Sequence, residues 1–200
     1  ISFYKKIWTM GLNLGILISG RGSNMLNLVN ASQRGLINSK VKIVISNNKN
    51  SIGIDKAKRK NIKTKIINQK DYESKKDFEN ALTNTLKNQN VDLVCLAGFM
   101  SILSKNFLKE WNRKVINIHP SLLPSFRGKN AVKQALEQRV KTAGCSVHFV
   151  DEGIDTGEII SQEKVPVSSN DDEETLGKKI LKKEHVLYIK VIKELERNCF

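Results

Sequence analysis

No apolar run in the 200-residue chain approaches the roughly 20 residues that a membrane-spanning helix needs, so no membrane partner is expected. Cysteine is scarce as well. Cys95, Cys145 and Cys199 show no CxxC or CxxH spacing, which removes the usual zinc patterns. Cys95 sits inside an apolar run and Cys145 begins another, so both are expected as buried free thiols. Residues 1–10 carry Lys5 and Lys6 but lack a sustained apolar stretch and a small-residue cleavage site, which makes a poor signal peptide. An odd cysteine count without such a signal points to a reducing cytoplasm. No His, Cys, Asp or Glu cluster has metal-ligand spacing. There is no nucleophile elbow either, since Ser121 lies between Pro120 and Pro124 rather than on a strand-to-helix turn. Internal repeats, low-complexity linkers and composition breaks are all lacking, so one domain is expected over residues 10–200. Residues 1–9 read as a disordered extension, or as sequence upstream of a start at Met10.

Acidic residues are the other shortage: 20 Asp and Glu against 34 Lys and Arg, a formal net charge of +14. Such an excess is the electrostatic footprint of nucleic-acid binding. Here, however, the lysines are spread from Lys5 to Lys193, with no arginine-rich stripe and few aromatics between them. Lys, Asn and Ile share A/T-rich codons, so genome composition accounts for the pattern. No nucleic-acid partner is expected, only a general attraction for small anions.

What the chain does contain is an alternation of apolar runs and helical stretches. Residues 12–18, 41–45, 64–67 and 91–97 read as strands. Helices are expected from about Asn24, over 53–60, and over 74–89, where Phe78, Ala81, Leu82 and Leu86 share a face. Strands separated by helices with short connections imply an α/β fold, Rossmann-like, with a mostly parallel central sheet and helices on both faces. After residue 115 the pattern changes. Strands over 145–150 and 158–167 are separated by a loop too short for a crossover helix, so they should run antiparallel. A last helix is expected over 173–197.

Three motifs stand at positions where chemistry is placed in such folds. Val115-Ile116-Asn117-Ile118-His119-Pro120 reads as a strand with Ile116 and Ile118 on one face and Asn117 and His119 on the other. Pro120 stops it, leaving an amide and an imidazole at the carboxyl end of the sheet, where open α/β folds bind ligands. Gly20-Arg21-Gly22-Ser23-Asn24, between a strand and a helix, would let backbone N–H groups approach an anion, with Ser23 or Asn24 as cap. It lacks the third glycine of a dinucleotide site and the GK[ST] of a P-loop, so a single phosphate monoester fits it better. Asp151-Glu152-Gly153-Ile154-Asp155-Thr156-Gly157 is an acidic loop whose spacing fails the EF-hand pattern. If Asp155 folds back toward His119, it would favour the imidazolium. His148 is expected to be structural, and His185, in mid-helix, to be solvent-facing or hydrogen-bonded.

Asn117, His119 and Asp155, with Ser121-Leu122-Leu123-Pro124 between them, resemble the signature of the folate-dependent formyltransferases. Gly20-Arg21-Gly22-Ser23-Asn24, Leu96-Ala97-Gly98-Phe99-Met100 and Ser146-Val147-His148-Phe149-Val150-Asp151 are similar to the branch that serves purine synthesis. Motif order and spacing agree over nearly the whole chain. The resemblance implies formyl transfer from 10-formyltetrahydrofolate to the amine of 5′-phosphoribosylglycinamide without a metal. Those two small molecules would be its partners, and it would be a monomer or homodimer in the cytoplasm. It further implies that His119, Asn117 and Asp155 are catalytic, with Asn117 and His119 as donors to the oxyanion formed when an amine attacks a formyl carbon. Gly22, Ser23 and Asn24 would hold the ribose-linked phosphate, and Glu184 the glycinamide. Met100, Ser101, Ile102 and Leu103, together with Asp151 and Asn117, would enclose the pterin, and Lys75 would lie near the folate tail. Two positions depart from the family pattern: Ser101 where an arginine is common, and Leu181 where a polar side chain is expected. The tRNA-directed and hydrolytic branches of the superfamily carry further domains, so neither of those activities is expected of residues 1–200.

Overall fold

A computed structural model describes residues 11–198; the expected extension over 1–9 and Cys199 lie outside them. Seven strands and six helices follow in the order β1 Asn13–Ile18, α1 Ser23–Gln33, β2 Lys40–Ser46, α2 Ile52–Arg59, β3 Thr64–Ile66, α3 Lys75–Lys87, β4 Leu93–Leu96, α4 Lys105–Trp111, β5 Val115–His119, α5 Ala131–Glu137, β6 Thr142–Phe149, β7 Ile159–Pro166 and α6 Glu173–Asn198. They form one sheet in the order β3-β2-β1-β4-β5-β6-β7. The first five strands are parallel. The β5–β6 and β6–β7 pairs are antiparallel, the second as the short 151–157 loop requires.

Alternation along each strand sorts two cores. Leu14, Ile16 and Ile18 of β1 join Ile116 and Ile118 of β5 beneath α1, α2, α5 and α6. Leu17 and Val94 face the other way, against Phe78, Leu82 and Leu86 of α3 and Phe107 and Trp111 of α4. Gly15 leaves room for that second layer, because a Cβ there would lie 2.4 Å from the Leu86 side chain. The α6 helix buries its stripe from Leu176 to Leu195 against the first core. Within it the Tyr188 hydroxyl donates to the carbonyls of Leu96 (3.0 Å) and Ile116 (3.4 Å), tying α6 to two adjacent strands. Replacing Tyr188 with Phe should cost about 1–2 kcal/mol in urea unfolding, since the hydroxyl is fully buried and the carbonyls would lose a donor.

Cys95 and Cys145 are buried free thiols, and burial pushes both up to about 12, so both stay protonated. One correction concerns a boundary. β6 begins at Thr142 rather than Cys145, because Thr142, Ala143 and Gly144 continue the ladder with Pro166, Val165 and Lys164. Gly144 is required there, since a Cβ would lie 2.1 Å from the Glu163 carbonyl oxygen. The short helices α4 and α5 have no counterpart in the sequence reading; each buries only two residues, too few to reveal a period. Among the described residues no helix is long and apolar enough to cross a membrane.

Candidate active site

The carboxyl end of β5 carries Asn117 and His119, and both meet Asp155. His119 is only 5% exposed. Its Nδ1 lies 3.3 Å from Asp155 Oδ2 and its Nε2 lies 2.8 Å from the Phe126 carbonyl oxygen. Both neighbours are acceptors, so a ring carrying a proton on each nitrogen satisfies both. Asn117 Nδ2 donates to Asp155 Oδ1 at 3.4 Å, and the Gly128 N–H donates to Oδ2 at 2.8 Å. Burial alone would push the Asp155 carboxyl up. The hydrogen bond with His148, the Gly128 N–H and the charges of His119 and His148 outweigh it and hold the group below the usual carboxylate range. Asp155 takes a left-handed backbone conformation, φ 51°, which aims its side chain inward. The loop closes at Gly157, where a Cβ would lie 1.8 Å from the Phe149 carbonyl oxygen.

The second part of the site is the turn between β1 and α1. Gly22 is the N-cap of α1, with φ 65°, and no side chain caps the helix. The first-turn N–H groups therefore have no intrahelical acceptor and point outward with the positive end of the helix dipole. The turn is braced from behind: Ser51 Oγ donates to the Gly20 carbonyl at 2.9 Å, the Gly53 N–H to the same carbonyl at 3.0 Å, and Lys56 Nζ to the Arg21 carbonyl at 2.9 Å. This corrects the expected cap. Asn24 is turned away, its Nδ2 donating to Glu184 Oε2 at 2.8 Å, while its Oδ1 is buried without a hydrogen-bond partner. Glu184 is buried, and burial pushes its carboxyl up, more than the bond from Asn24 lowers it. Beside the N–H cradle the molecule thus presents a cluster of acceptors suited to an amine or hydroxyls. Gly22→Ala should destabilise the fold by about 1–3 kcal/mol in urea unfolding, because its Cβ would fall 2.8 Å from Met25 Cε and 3.0 Å from Gly53 Cα at a positive φ.

The residues expected around a pterin divide. Met100 and Ile102 are 68% and 58% exposed, large apolar side chains held in water. Ser101 Oγ accepts from Asn47 Nδ2 at 2.7 Å. The Leu103 side chain is buried in the core beneath α3 and α4. Asp151 is turned to its own loop, its Oδ1 accepting from the Gly153 N–H (3.1 Å) and the Thr156 hydroxyl (2.6 Å). Lys75 opens α3, 3.9 Å from Glu79 and away from the catalytic cluster. Among the described residues no group of three or more His, Cys, Asp or Glu is placed to hold a metal ion.

The chain matches the formyl transferase family over residues 12–192. The chain belongs to that family. It is 38% identical over 180 residues to the phosphoribosylglycinamide formyltransferase of Bacillus subtilis, covering 90% of this chain and 92% of that one. It is also 46% identical over 175 residues to the human trifunctional purine biosynthetic protein adenosine-3, covering 88% of this chain but spanning only 17% of the human protein's length. The glycinamide ribonucleotide transformylase 1 structure from Symbiobacterium toebii superposes with a TM-score of 0.92 at 39% identity, over 94% of this chain and 89% of that one.

In this formyl transferase family member the cluster also contains groups that the sequence reading did not include. His148, 2% exposed, lies 3.5 Å from Asp155 Oδ1 and 3.3 Å from Asn117 Nδ2. The signal was register: β5 and β6 pair antiparallel with Asn117 opposite His148, a pairing that spacing alone does not fix. The Phe126 carbonyl and Gly128 N–H are backbone groups, invisible to a reading of side chains. His185 is half-buried, with its Nε2 buried and without a hydrogen-bond partner; burial lowers its pKa.

Proposed function

We propose that the chain transfers the formyl group of 10-formyltetrahydrofolate to the amine of 5′-phosphoribosylglycinamide, giving N-formylglycinamide ribonucleotide and tetrahydrofolate in purine synthesis. The observation that carries this reading is the convergence of Asn117, His119 and Asp155, brought from one strand end and one loop into contact. In that reading, charge builds on the formyl oxygen as the amine attacks; the Asn117 amide is a donor at hand, and the His119 ring becomes one when its Nε2 releases the Phe126 carbonyl. Asp155 orients the His119 ring and takes part in moving the proton from the amine. The uncapped N–H groups of Gly22, Ser23 and Asn24 bind the phosphate, and the Asn24–Glu184 acceptors hold the glycinamide. Exposed Met100 and Ile102 supply an apolar wall for the pterin, as 10-formyltetrahydrofolate requires. Holding both substrates in contact contributes much of the remaining rate.

Both partners are small molecules in this reading, with no nucleic acid or membrane involved, and the enzyme works in the cytoplasm as a monomer or homodimer. The test is an assay with 10-formyltetrahydrofolate and three competing acceptors: phosphoribosylglycinamide, initiator methionyl-tRNA and water. Formylation of the glycinamide alone is expected. Preferential formylation of the tRNA, or release of formate without an acceptor, would refute the assignment.

A further inference from the structure

Glu79, on α3, is a carboxylate only 5% exposed that belongs neither to the catalytic cluster nor to the phosphate cradle. A carboxylate so buried must be paired and hydrogen-bonded to persist. Both its oxygens go to one residue: Oε1 accepts the Ser104 N–H at 2.7 Å, and Oε2 accepts the Ser104 hydroxyl. Lys75 Nζ lies 3.9 Å from Oε1. Ser104 in turn caps α4, its hydroxyl accepting from the Phe107 N–H at 3.3 Å.

Ser104 is the far end of the segment that bears Met100 and Ile102. The near end is pinned too, the Met100 N–H donating to Ser19 Oγ at 2.8 Å and Ser101 Oγ accepting from Asn47 Nδ2 at 2.7 Å. A backbone fixed at both ends thus holds two apolar side chains in water, a preformed wall for an apolar ring. The same carboxylate lies beside Lys75, which the family resemblance places near the folate tail.

We propose that Glu79 is a positioning residue for the folate site. It fixes the Met100–Ile102 wall and the Lys75 cation relative to each other, so its loss falls on folate affinity and not on the amine substrate or the chemical step. The inference rests on the formyl-transfer reading given above.

The test compares the full-length wild type with Glu79→Ala and Glu79→Gln, by steady-state kinetics and by calorimetric binding of tetrahydrofolate. Glu79→Ala should raise KM for 10-formyltetrahydrofolate and Kd for tetrahydrofolate about tenfold, leaving kcat and KM for phosphoribosylglycinamide within about twofold. Glutamine keeps an oxygen for the Ser104 N–H and an amide that meets its hydroxyl, so Glu79→Gln should recover most of the affinity. A merely structural role would lower the active fraction and leave both KM values unchanged. That result, parallel rises in both KM values, or an unchanged tetrahydrofolate Kd would overturn the proposal. Should Glu79→Ala fail to fold, Ser104→Ala keeps the N–H contact, removes the hydroxyl's contact with Glu79 together with its cap on Phe107, and should weaken tetrahydrofolate about threefold, with an unchanged Kd again overturning the proposal. Wild-type chain that binds tetrahydrofolate without formylating phosphoribosylglycinamide would remove the acceptor assignment and leave the Glu79 inference to stand on Kd. Wild-type chain that binds no tetrahydrofolate would remove both.

Discussion

His119→Ala is expected to lower kcat at least about a hundredfold while the protein stays folded. The ring is nearly inaccessible, and its two nitrogens reach the Phe126 carbonyl and Asp155 rather than any core group. Alanine would leave both acceptors without their donor at a cost of about 1–3 kcal/mol, tolerable in a domain with two extended cores. Asp155→Asn should match that loss for a different reason. Asp155 Oδ1 accepts from Asn117 and Oδ2 from the Gly128 N–H. An asparagine has one oxygen, so whichever way its amide is placed an NH2 group meets a donor, and His119 loses its charged partner. The acid limb of stability should change as well. The native Asp155 carboxyl is held below its ordinary range, so its contribution is present above the unfolded value and is lost as pH falls through the depressed one. Urea unfolding across that acid range should show a shallower decline in Asp155→Asn than in wild type. Near-normal turnover in either variant would remove His119 and Asp155 from the chemistry.

The legible parts of this protein were those governed by period and punctuation. β5 reads correctly because Ile116 and Ile118 alternate with Asn117 and His119 and Pro120 ends the ladder, all local facts. The long α6 reads because its apolar stripe repeats over about five turns. α4 and α5 escape because seven residues bury too little to set a pattern. The site divides in the same way. Asn117, His119 and Asp155 converge as the motif resemblance implies. His148 enters only because the β5–β6 register sets it opposite Asn117. The cradle shows the limit most clearly: the Gly20-Arg21-Gly22 turn is local and was legible, but the direction of the Asn24 side chain is decided by Glu184, 160 positions away. No local rule could choose between a capping role and that contact.

Glu184→Gln should make the protein more stable and a poorer enzyme. Burial raises the Glu184 carboxyl above its ordinary value, and the Asn24 bond offsets that only in part. A carboxyl raised in the folded state contributes stability that is fully present below its unfolded value and is lost as pH rises through the raised one. Above its unfolded value the raised carboxyl therefore costs the fold increasingly with pH. Glutamine removes the charge, keeps an oxygen for Asn24 Nδ2 and brings an N–H to Asn24 Oδ1, the buried acceptor that has no partner. A gain of about 1 kcal/mol, or roughly 2–4 °C in Tm, is expected at pH 8, shrinking toward pH 4. The same exchange removes a charged acceptor from the place assigned to the glycinamide. kcat/KM for phosphoribosylglycinamide should fall about thirtyfold, with KM for 10-formyltetrahydrofolate unchanged. The stabilisation and the loss have one cause, an acceptor cluster left short of donors in the free protein so that a donor-bearing ligand can complete it. A variant that lost stability at pH 8, or kept its kcat/KM, would show that Glu184 holds the fold and not the substrate.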